Sequence, residues 1–149
     1  MAISDLLKRF GFILLLWNCR SLLSNVIEFN KLISDNEPDV ICLTETWFLV
    51  TSKYKLKNYK IYRKDRFGAR GGGVAIFVKN SINSRLNDKF IDFPNGMLEF
   101  IIVDVYVRNR WCTFSSIYNP CKDISEDELK HYFDNLGRNS VFSALEIFH

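Results

Sequence analysis

The sequence predicts a single domain of the α+β class, built from several closely spaced strands and two helices. Three observations support this class: apolar runs shorter than a typical helix, one helical pattern between two such runs, and a later series of β-branched and aromatic segments. The 149 residues suit one core, and 48% hydrophobic with 25% charged residues is ordinary for a globular chain. Collagen, coiled coil and disorder are thereby excluded for the chain as a whole.

The first third of the chain predicts a strand–helix–strand unit. The continuous apolar run over 12–17 is typical of a strand covered on both faces. Asn25 and Glu28 have the spacing of a capping box that opens a helix, and the helix has to end before Pro38. A second apolar run over 40–43 predicts a strand parallel to the first, because a helix of this length suits a parallel crossover.

The rest of the chain predicts antiparallel strands and one more helix. The spacing leaves no room for crossover helices between the strands predicted at 59–63, 74–78, 98–107 and 111–118. Ser125 and Glu128 form a second capping box, and Gly137 is placed to end the helix that follows. Residues 138–149 contain apolar side chains without a clear period.

Membrane insertion, secretion and zinc binding are all disfavoured. The longest apolar run, 10–17, has eight residues, whereas a bilayer-spanning helix needs about 20. The tripeptide 18–20, Asn-Cys-Arg, offers no small residues for signal-peptide cleavage. His131 and His149 do not stand at zinc-ligand spacing from a cysteine pair. Without a Cys-x-x-Cys motif, reduced buried thiols in an intracellular protein are expected for Cys19, Cys42, Cys112 and Cys121.

Basic residues are concentrated between positions 53 and 70. That segment contains eight lysines and arginines and one acid, so it carries +7 while the rest sums to −4, which gives the net +3. A basic stripe on a nearly neutral protein indicates a polyanionic partner such as nucleic acid. Arg63, Arg66 and Arg70 are the predicted nucleic-acid contacts. A solvated lysine-rich loop is the alternative that charge alone leaves open.

Polar side chains stand at the ends of the first two predicted parallel strands. Asn18 closes the first apolar run, and Glu45 follows the second. Ligands of open sheets collect beyond the carboxyl ends of the strands, so we expect this amide and this carboxylate to form one polar patch. A carboxylate there suits Mg²⁺, and the amide can hold a water or a phosphate oxygen. A turn residue and an exposed strand-end acid are the alternatives.

These residues lie in motifs that resemble a known superfamily. The sequence is similar to the endonuclease/exonuclease/phosphatase superfamily, and within it to the endonuclease domain of non-LTR (LINE-type) retrotransposons. The resemblance runs from about 14 to 136. Its motifs, in order, are LWNCRSL at 16–22, PDVICLTETW at 38–47, IYRKDR at 61–66, RGGGVAIFV at 70–78 and SIYNP at 116–120.

The resemblance implies a fold, a reaction and three site residues. The fold is a truncated α/β sandwich of the DNase I-like type, with residues 12–137 as the front half of the domain, 1–11 as an N-terminal extension and 138–149 as a divergent tail. The reaction is Mg²⁺-dependent hydrolysis of a DNA phosphodiester, which nicks target DNA for reverse transcription. The first-strand Asn of the family falls on Asn18, the metal-binding Glu on Glu45, and the Tyr that contacts the scissile phosphate on Tyr118.

The chain departs from the family pattern in several places. Arg20 stands where apurinic endonucleases have an Asp, and Cys121 replaces a proline common in the retrotransposon branch. The Gly-Asp-Phe-Asn and Ser-Asp-His motifs, which supply water positioning and acid–base groups in the family, do not occur in the sequence, and His131 and His149 lack the required context. Glu45 is then the one acidic metal ligand that the resemblance provides.

We therefore interpret the chain as a fragment of a retrotransposon-derived DNA endonuclease that is inactive alone. DNA is the expected partner, with no membrane and no small-molecule cofactor, and the location is intracellular and nuclear. A non-catalytic nucleic-acid binder using residues 53–70 is the alternative. An unstable remnant that exposes an inner sheet face is a third reading, and a lipid or nucleotide phosphatase is a fourth. Enzymatic activity and oligomeric state stay open.

Overall fold

The protein is described by a computed structural model over residues 4–9, 11–89, 98–120, 124–136 and 140–147. Cys121, Gly137 and His149 lie outside these residues. Within them the elements are β1 Ser4–Arg9, β2 Phe12–Asn18, α1 Val26–Asn36, β3 Val40–Thr44, β4 Tyr59–Lys64, β5 Val74–Lys79, β6 Ser84–Leu86, β7 Glu99–Val107, β8 Arg110–Asn119, α2 Glu126–Leu136 and β9 Ser140–Ile147.

The strands form two sheets, which confirms the predicted α+β sandwich. The first sheet has the order β1-β2-β3-β5-β4 and the second has the order β6-β7-β8-β9. Strands β2 and β3 are parallel, as predicted for the strand–helix–strand unit, and β8 and β9 are parallel as well. The remaining pairs, including β4 with β5 and β7 with β8, are antiparallel.

The first sheet is covered on both faces, which explains its continuous apolar runs. On the inner face Leu14 and Ile76 pack against Val103 and Phe114 of the second sheet. Alternate residues of the same strands, such as Leu15, point to the outer face. There they form a second apolar cluster with Phe29 of α1. Each fully buried aliphatic or aromatic side chain contributes about 1.5–3 kcal/mol relative to an exposed one.

The cysteines of the described residues are buried thiols, as predicted. Cys19, Cys42 and Cys112 are unpaired by disulfides. Burial raises the pKa of the Cys42 thiol from 9.0 to about 12, because the low-dielectric interior disfavours the thiolate. Cys42 is consequently a small core residue between the two sheets and not a nucleophile.

The two helices begin differently. In α2 the predicted capping box is confirmed: the Ser125 amide donates to Glu128 Oε2 at 2.9 Å, and the Glu128 amide donates to Ser125 Oγ at 3.3 Å. In α1 the predicted capping box is wrong, since Asn25 makes no side-chain cap hydrogen bond. Neither described helix combines the length and the apolar character that crossing a bilayer requires.

The side chain of Asn25 has another task that explains the difference. Its amide Nδ2 donates to the carbonyl oxygens of Cys19, Arg20 and Ser21 at 2.8, 3.2 and 3.1 Å. Arg20 and Ser21 have positive φ values of 40° and 79°, so the turn directs several carbonyls toward one donor. Asn25 thereby fixes the chain between β2 and α1, immediately after Asn18.

Strands β1, β6 and β9 were not predicted from the sequence. Strand β1 forms a hairpin with β2 through Gly11, whose φ is +78°, so part of the predicted N-terminal extension is an edge strand. Strand β6 has three residues, which is too short to show a period. Strand β9 lies parallel to β8 with a register shift near Thr113 and Phe114, and its sequence does not alternate.

Candidate active site

Asn18 and Glu45 meet at the carboxyl end of the parallel pair, as the sequence predicts. Asn18 is in register with Thr44, so Glu45 follows directly beyond the last paired residue of β3. The Asn18 amide Nδ2 donates to Glu45 Oε1 at 3.0 Å. The Asn18 Oδ1 atom accepts a hydrogen bond from the Arg20 amide at 3.3 Å, so both ends of the amide are held in place.

The backbone around Glu45 is held by both neighbouring segments. The Ser21 amide donates to the Glu45 carbonyl at 2.9 Å, and the Thr46 amide donates to the Gly73 carbonyl at 3.2 Å. Glu45 and Trp47 have φ values of 53° and 54°, in the left-handed region that non-glycine residues rarely adopt. Such strain persists because the surrounding hydrogen bonds over-determine the conformation, and it is concentrated at functional sites.

The Glu45 carboxylate receives two neutral donors. Besides Asn18, the Trp47 indole Nε1 donates to Oε2 at 3.2 Å, and the residue is 8% exposed. Among the residues in the described ranges, no lysine or arginine forms an ion pair with Glu45. A nearly buried carboxylate without a cationic partner is an environment that favours a bound cation.

The donor set offers one carboxylate to a metal ion. Within the described ranges, no three His, Cys, Asp or Glu side chains are grouped to hold a metal. A hard divalent cation such as Mg²⁺ often binds through only one or two carboxylates and keeps several waters. Glu45 fits such an ion as a single protein ligand.

Tyr118 lies at the same edge of the sandwich, in the second sheet. Ser116 Oγ of β8 donates to the Leu43 carbonyl of β3 at 2.7 Å, which fixes the two strands against each other. Tyr118 comes two residues after Ser116, and Glu45 comes two residues after Leu43. Tyr118 is paired with Glu99 across β7 and β8. Both strands, β3 and β8, therefore end at this edge with a functional candidate.

Arg66 connects the two sheets beside Tyr118. Its guanidinium forms an ion pair with Glu99, which also accepts the Gly73 amide at 2.7 Å, and lies 5.8 Å from the centre of the Tyr118 ring. Burial alone would lower the pKa of Arg66, but the hydrogen bond and charge of Glu99, with smaller contributions from Tyr118, raise it overall. Arg66 Nη2 is buried against the glycine segment near Gly72, so the ion pair with Glu99 holds the guanidinium inside the protein.

The other two predicted nucleic-acid contacts differ in their surroundings. Arg63 Nη2 donates to the Ser52 carbonyl at 2.7 Å and pairs with Asp65 at 3.2 Å. Burial raises the pKa of Asp65, and the charge of Arg63 opposes that rise. Arg70 is exposed, and its guanidinium carbon lies 5.7 Å from the centre of the Trp47 ring. Within the basic stripe of residues 53–70, some side chains such as Arg63 are therefore bound to other groups of the protein, whereas others such as Arg70 face solvent.

A groove lies between the loops of residues 47–51 and 66–71. It has a volume of about 710 Å³ and includes Trp47, which donates to Glu45, and Arg70. Its rim carries the exposed side chains of Leu49, Val50 and Phe67. The groove therefore contains the aromatic ring that donates to Glu45 together with an exposed cation, Arg70.

Two residues of this site were not identified from the sequence. Trp47 belongs to the PDVICLTETW motif, and its position two residues after Glu45 was the available signal. Glu99 is an acid inside the apolar segment of β7, which is the signal for a buried partner. Its partner Arg66 is 33 residues away in sequence, so spacing alone does not predict the pair.

Comparison with known proteins identifies the family of the chain. The profile of the endonuclease/exonuclease/phosphatase family matches residues 15–140, and the chain belongs to this family. No curated protein sequence matches the chain. The predicted superfamily is thereby confirmed, and the predicted site residues Asn18, Glu45 and Tyr118 lie within the matched region.

Solved structures show the same fold. The endonuclease domain of TRAS1, a telomere-specific non-LTR retrotransposon, has a TM-score of 0.60 and 14% identity, over 87% of this chain and 56% of that one. TDP2 of D. rerio, complexed with a single-strand DNA product, has a TM-score of 0.55 and 17% identity, over 83% and 52%. The 3'-5' exonuclease NExo from Neisseria meningitidis has a TM-score of 0.50 and 17% identity, over 85% and 53%. The chain spans about half the length of these structures.

Substituting Gly72 tests the contact between the glycine segment and Arg66. Gly72 has a φ of +66°, and a Cβ there would overlap the Arg66 guanidinium that pairs with Glu99. We expect Gly72→Ala to lower the free energy of unfolding by about 3 kcal/mol, from the left-handed backbone and the displaced ion pair. Urea unfolding followed by fluorescence measures the change.

The matched control is Gly68→Ala. Gly68 has a φ of +76° and no atom within 4 Å of the added Cβ, so this variant carries the backbone strain alone. Its expected cost is about 1–2 kcal/mol. Equal losses of stability in the two variants would contradict the packing of Gly72 against Arg66.

Proposed function

We propose that the chain is part of a DNA endonuclease related to those of non-LTR retrotransposons, and that Asn18, Glu45 and Tyr118 are its share of the catalytic site. The observation that carries the proposal is the hydrogen bond of 3.0 Å between Asn18 and Glu45 at the ligand-binding edge of a family fold. The substrate class is a DNA phosphodiester, in line with the basic residues and the groove beside Glu45.

In this proposal Glu45 would hold a divalent cation, and Asn18 would orient the carboxylate and a water. A bound ion would supply neutralisation of the negative charge that develops during phosphodiester hydrolysis. The Asn18 amide keeps one Glu45 oxygen in place, and the Trp47 indole keeps the other. Each carboxylate oxygen has further lone pairs, so these two hydrogen bonds do not exhaust its capacity to bind an ion.

Tyr118, in the second sheet, and Arg66 beside it would act on a phosphoryl oxygen of the substrate. The phenol of Tyr118 donates a hydrogen bond to the oxygen as its charge grows, and the Arg66 guanidinium beside the Tyr118 ring supplies a positive charge nearby. Glu99 is a positioning residue, because it holds the Arg66 guanidinium and the Gly73 amide together. Arg70 contacts the DNA backbone at the mouth of the groove.

Metal binding at Glu45 is testable through the neighbouring indole. Mn²⁺ is a paramagnetic substitute for Mg²⁺, and Trp47 Nε1 lies 3.2 Å from the carboxylate. We expect substoichiometric Mn²⁺ to broaden the Trp47 indole N–H resonance and to leave that of the remote Trp111 sharp. Glu45→Gln, which keeps an oxygen but removes the charge, should abolish the broadening.

Trp47→Phe assigns the resonance, and excess Mg²⁺ should restore its intensity by competition. Broadening that persists in Glu45→Gln, or that affects Trp111 to the same degree, would assign the ion to another part of the surface. Unchanged Trp47 intensity at millimolar Mn²⁺ would remove Glu45 as a metal ligand.

The isolated 149-residue chain should not nick DNA. The family motifs that supply the acid–base groups do not occur in its sequence, and groups that act as a unit lose most of the rate when one member is absent. Supercoiled plasmid incubated with Mg²⁺ and purified chain is expected to nick at the rate of a Glu45→Ala control. Rapid nicking that Glu45→Ala abolishes would show that the chain completes its site without those motifs.

A non-catalytic nucleic-acid binder is the second candidate function. It is favoured by the exposed guanidinium of Arg70 over Trp47 and by exposed lysines at 53, 55 and 57. The third interpretation, an unstable remnant, depends on the inner face of a sheet being exposed to solvent. In the described sheets that face is buried, as Val40 and Val103 of opposite sheets are 0% exposed.

Arg70→Ala tests the DNA-binding surface that both candidate functions assign to Arg70. Losing one phosphate contact should weaken duplex binding about equally for all sequences and reduce the salt slope by about 1. Lys31→Ala is the charge-matched control on α1, where Lys31 pairs with Asp35. Anisotropy titrations at several salt concentrations measure both. Duplex affinity that Arg70→Ala leaves unchanged would remove Arg70 from the DNA-binding surface.

A further inference from the structure

Two aromatic rings lie exposed on the outer face of the second sheet. Tyr106 and Trp111 are directly opposite each other on β7 and β8, and their ring centres are 5.2 Å apart at an angle of 60°. They alternate with Val105 and Cys112, which face the core. Tyr106 is 39% exposed and Trp111 is 42% exposed, so the pair presents an aromatic surface to solvent.

A third residue, Arg85 of β6, is held on this pair. Its guanidinium carbon lies 4.2 Å from the centre of the Trp111 ring, and its Nε donates to Asp104 Oδ2 at 3.3 Å. Asp104 Oδ1 also accepts hydrogen bonds from Asn87 Nδ2 at 3.1 Å and Thr113 Oγ1 at 2.9 Å. The acid thus fixes the cation beside the ring through a network of three strands and the segment after β6.

The surroundings of the rings are cationic. Arg108 is exposed at the turn that joins β7 to β8, two residues after Tyr106. Arg110 is also exposed, but it pairs with Val107, which packs against the core, so it points to the face opposite Trp111. Arg85 and Arg108 carry two positive charges, against one negative charge on Asp104. An aromatic surface within a basic patch matches the chemistry of single-stranded nucleic acid, where bases stack on rings and cations follow the phosphates.

This surface is far from the candidate active site. Strand β7 begins at Glu99, which contacts Arg66 and Gly73, and Tyr106 comes seven residues later. At about 3.4 Å per residue the two ends are separated by about 24 Å. The contacts proposed for Glu45 and Arg70 and those of the aromatic pair can therefore be removed independently.

We propose that Tyr106, Trp111 and Arg85 form a second binding site, which takes single-stranded nucleic acid through base stacking. Unpaired bases fit because their π-faces are accessible, whereas duplex DNA hides them. The guanidinium groups of Arg85 and Arg108 attract the phosphates between the stacked bases. A protein partner is the less suitable occupant, since two cations lie beside only two apolar rings.

The test compares two 15-nucleotide probes, dT15 and an oligonucleotide of equal charge with abasic sites throughout. By fluorescence anisotropy at low salt, Tyr106→Ala/Trp111→Ala should raise the Kd for dT15 about 10-fold or more, because stacking contributes about 1–3 kcal/mol per base. The same variant should leave the weaker binding of the abasic probe unchanged. Trp111→Phe, which retains a stacking ring, should keep most of the affinity.

The controls separate this site from other surfaces. Ile27→Ala removes an exposed apolar side chain from α1 and should bind dT15 as the wild type does. The inference is overturned if the double variant binds dT15 normally, if Arg70→Ala accounts for all dT15 binding, or if the wild type does not bind. It is also overturned if the double variant changes only the oligomeric state in sedimentation. Should that variant fail to fold, equal affinity of the wild type for both probes would overturn it.

None of these outcomes bears on Glu45. The Mn²⁺ and plasmid experiments report the proposed nuclease site, whereas the comparison of dT15 with the abasic probe reports the rings of Tyr106 and Trp111. Loss of either result leaves the other standing.

Discussion

The parallel pairing of β2 with β3 is the constraint on which the candidate active site depends. It sets Asn18 beside Thr44 and so brings the amide within 3.0 Å of the Glu45 carboxylate. A slip of one residue would turn every side chain of β2 to the other face of the sheet, with Asn18 among them. Leucines occupy both buried faces of β2, so polar contacts at the ends of the pair fix the register: the Ile13 amide donates to Asp39 Oδ2 at 2.8 Å, and the Cys19 amide donates to the Thr44 carbonyl at 3.1 Å.

The second sheet is attached to this pair by directional contacts as well as by apolar packing. Apolar packing alone has no preferred direction, so it does not set how far one sheet slides along the other. The hydrogen bond from Ser116 to the Leu43 carbonyl and the contacts of Glu99 with Arg66 and the Gly73 amide set that position at the ligand-binding edge. Tyr118 owes its place at the edge to these contacts.

The parts of the fold that could be predicted are those with a strong local signal. Strands β2, β3 and β5 are apolar up to their last residue because both of their faces are covered, and the α2 capping box is a local pattern. The absence of a capping box in α1 could not be predicted from the sequence. Asn25 donates instead to carbonyls of the preceding turn, and the residue spacing does not reveal the shape of that turn.

The same limit applies to the site. Asn18 and Glu45 end adjacent strands, so their proximity follows from topology, and it was predicted. Charge density predicted Arg63 as a nucleic-acid contact but gave no information about the Ser52 carbonyl and Asp65, which it contacts. Glu99 and Arg66 are paired only through the packing of two sheets, a long-range property that composition and period do not encode.

The left-handed backbone at Glu45 and Trp47 restricts which substitutions the turn accepts. Glycine adopts these φ values at no steric cost, whereas a β-branched side chain would be strained. Replacing either residue by glycine would relax the backbone, but it would also remove the hydrogen bond between the Trp47 indole and the Glu45 carboxylate and give the unfolded chain more freedom. Backbone relaxation and the loss of this contact therefore oppose each other at both positions.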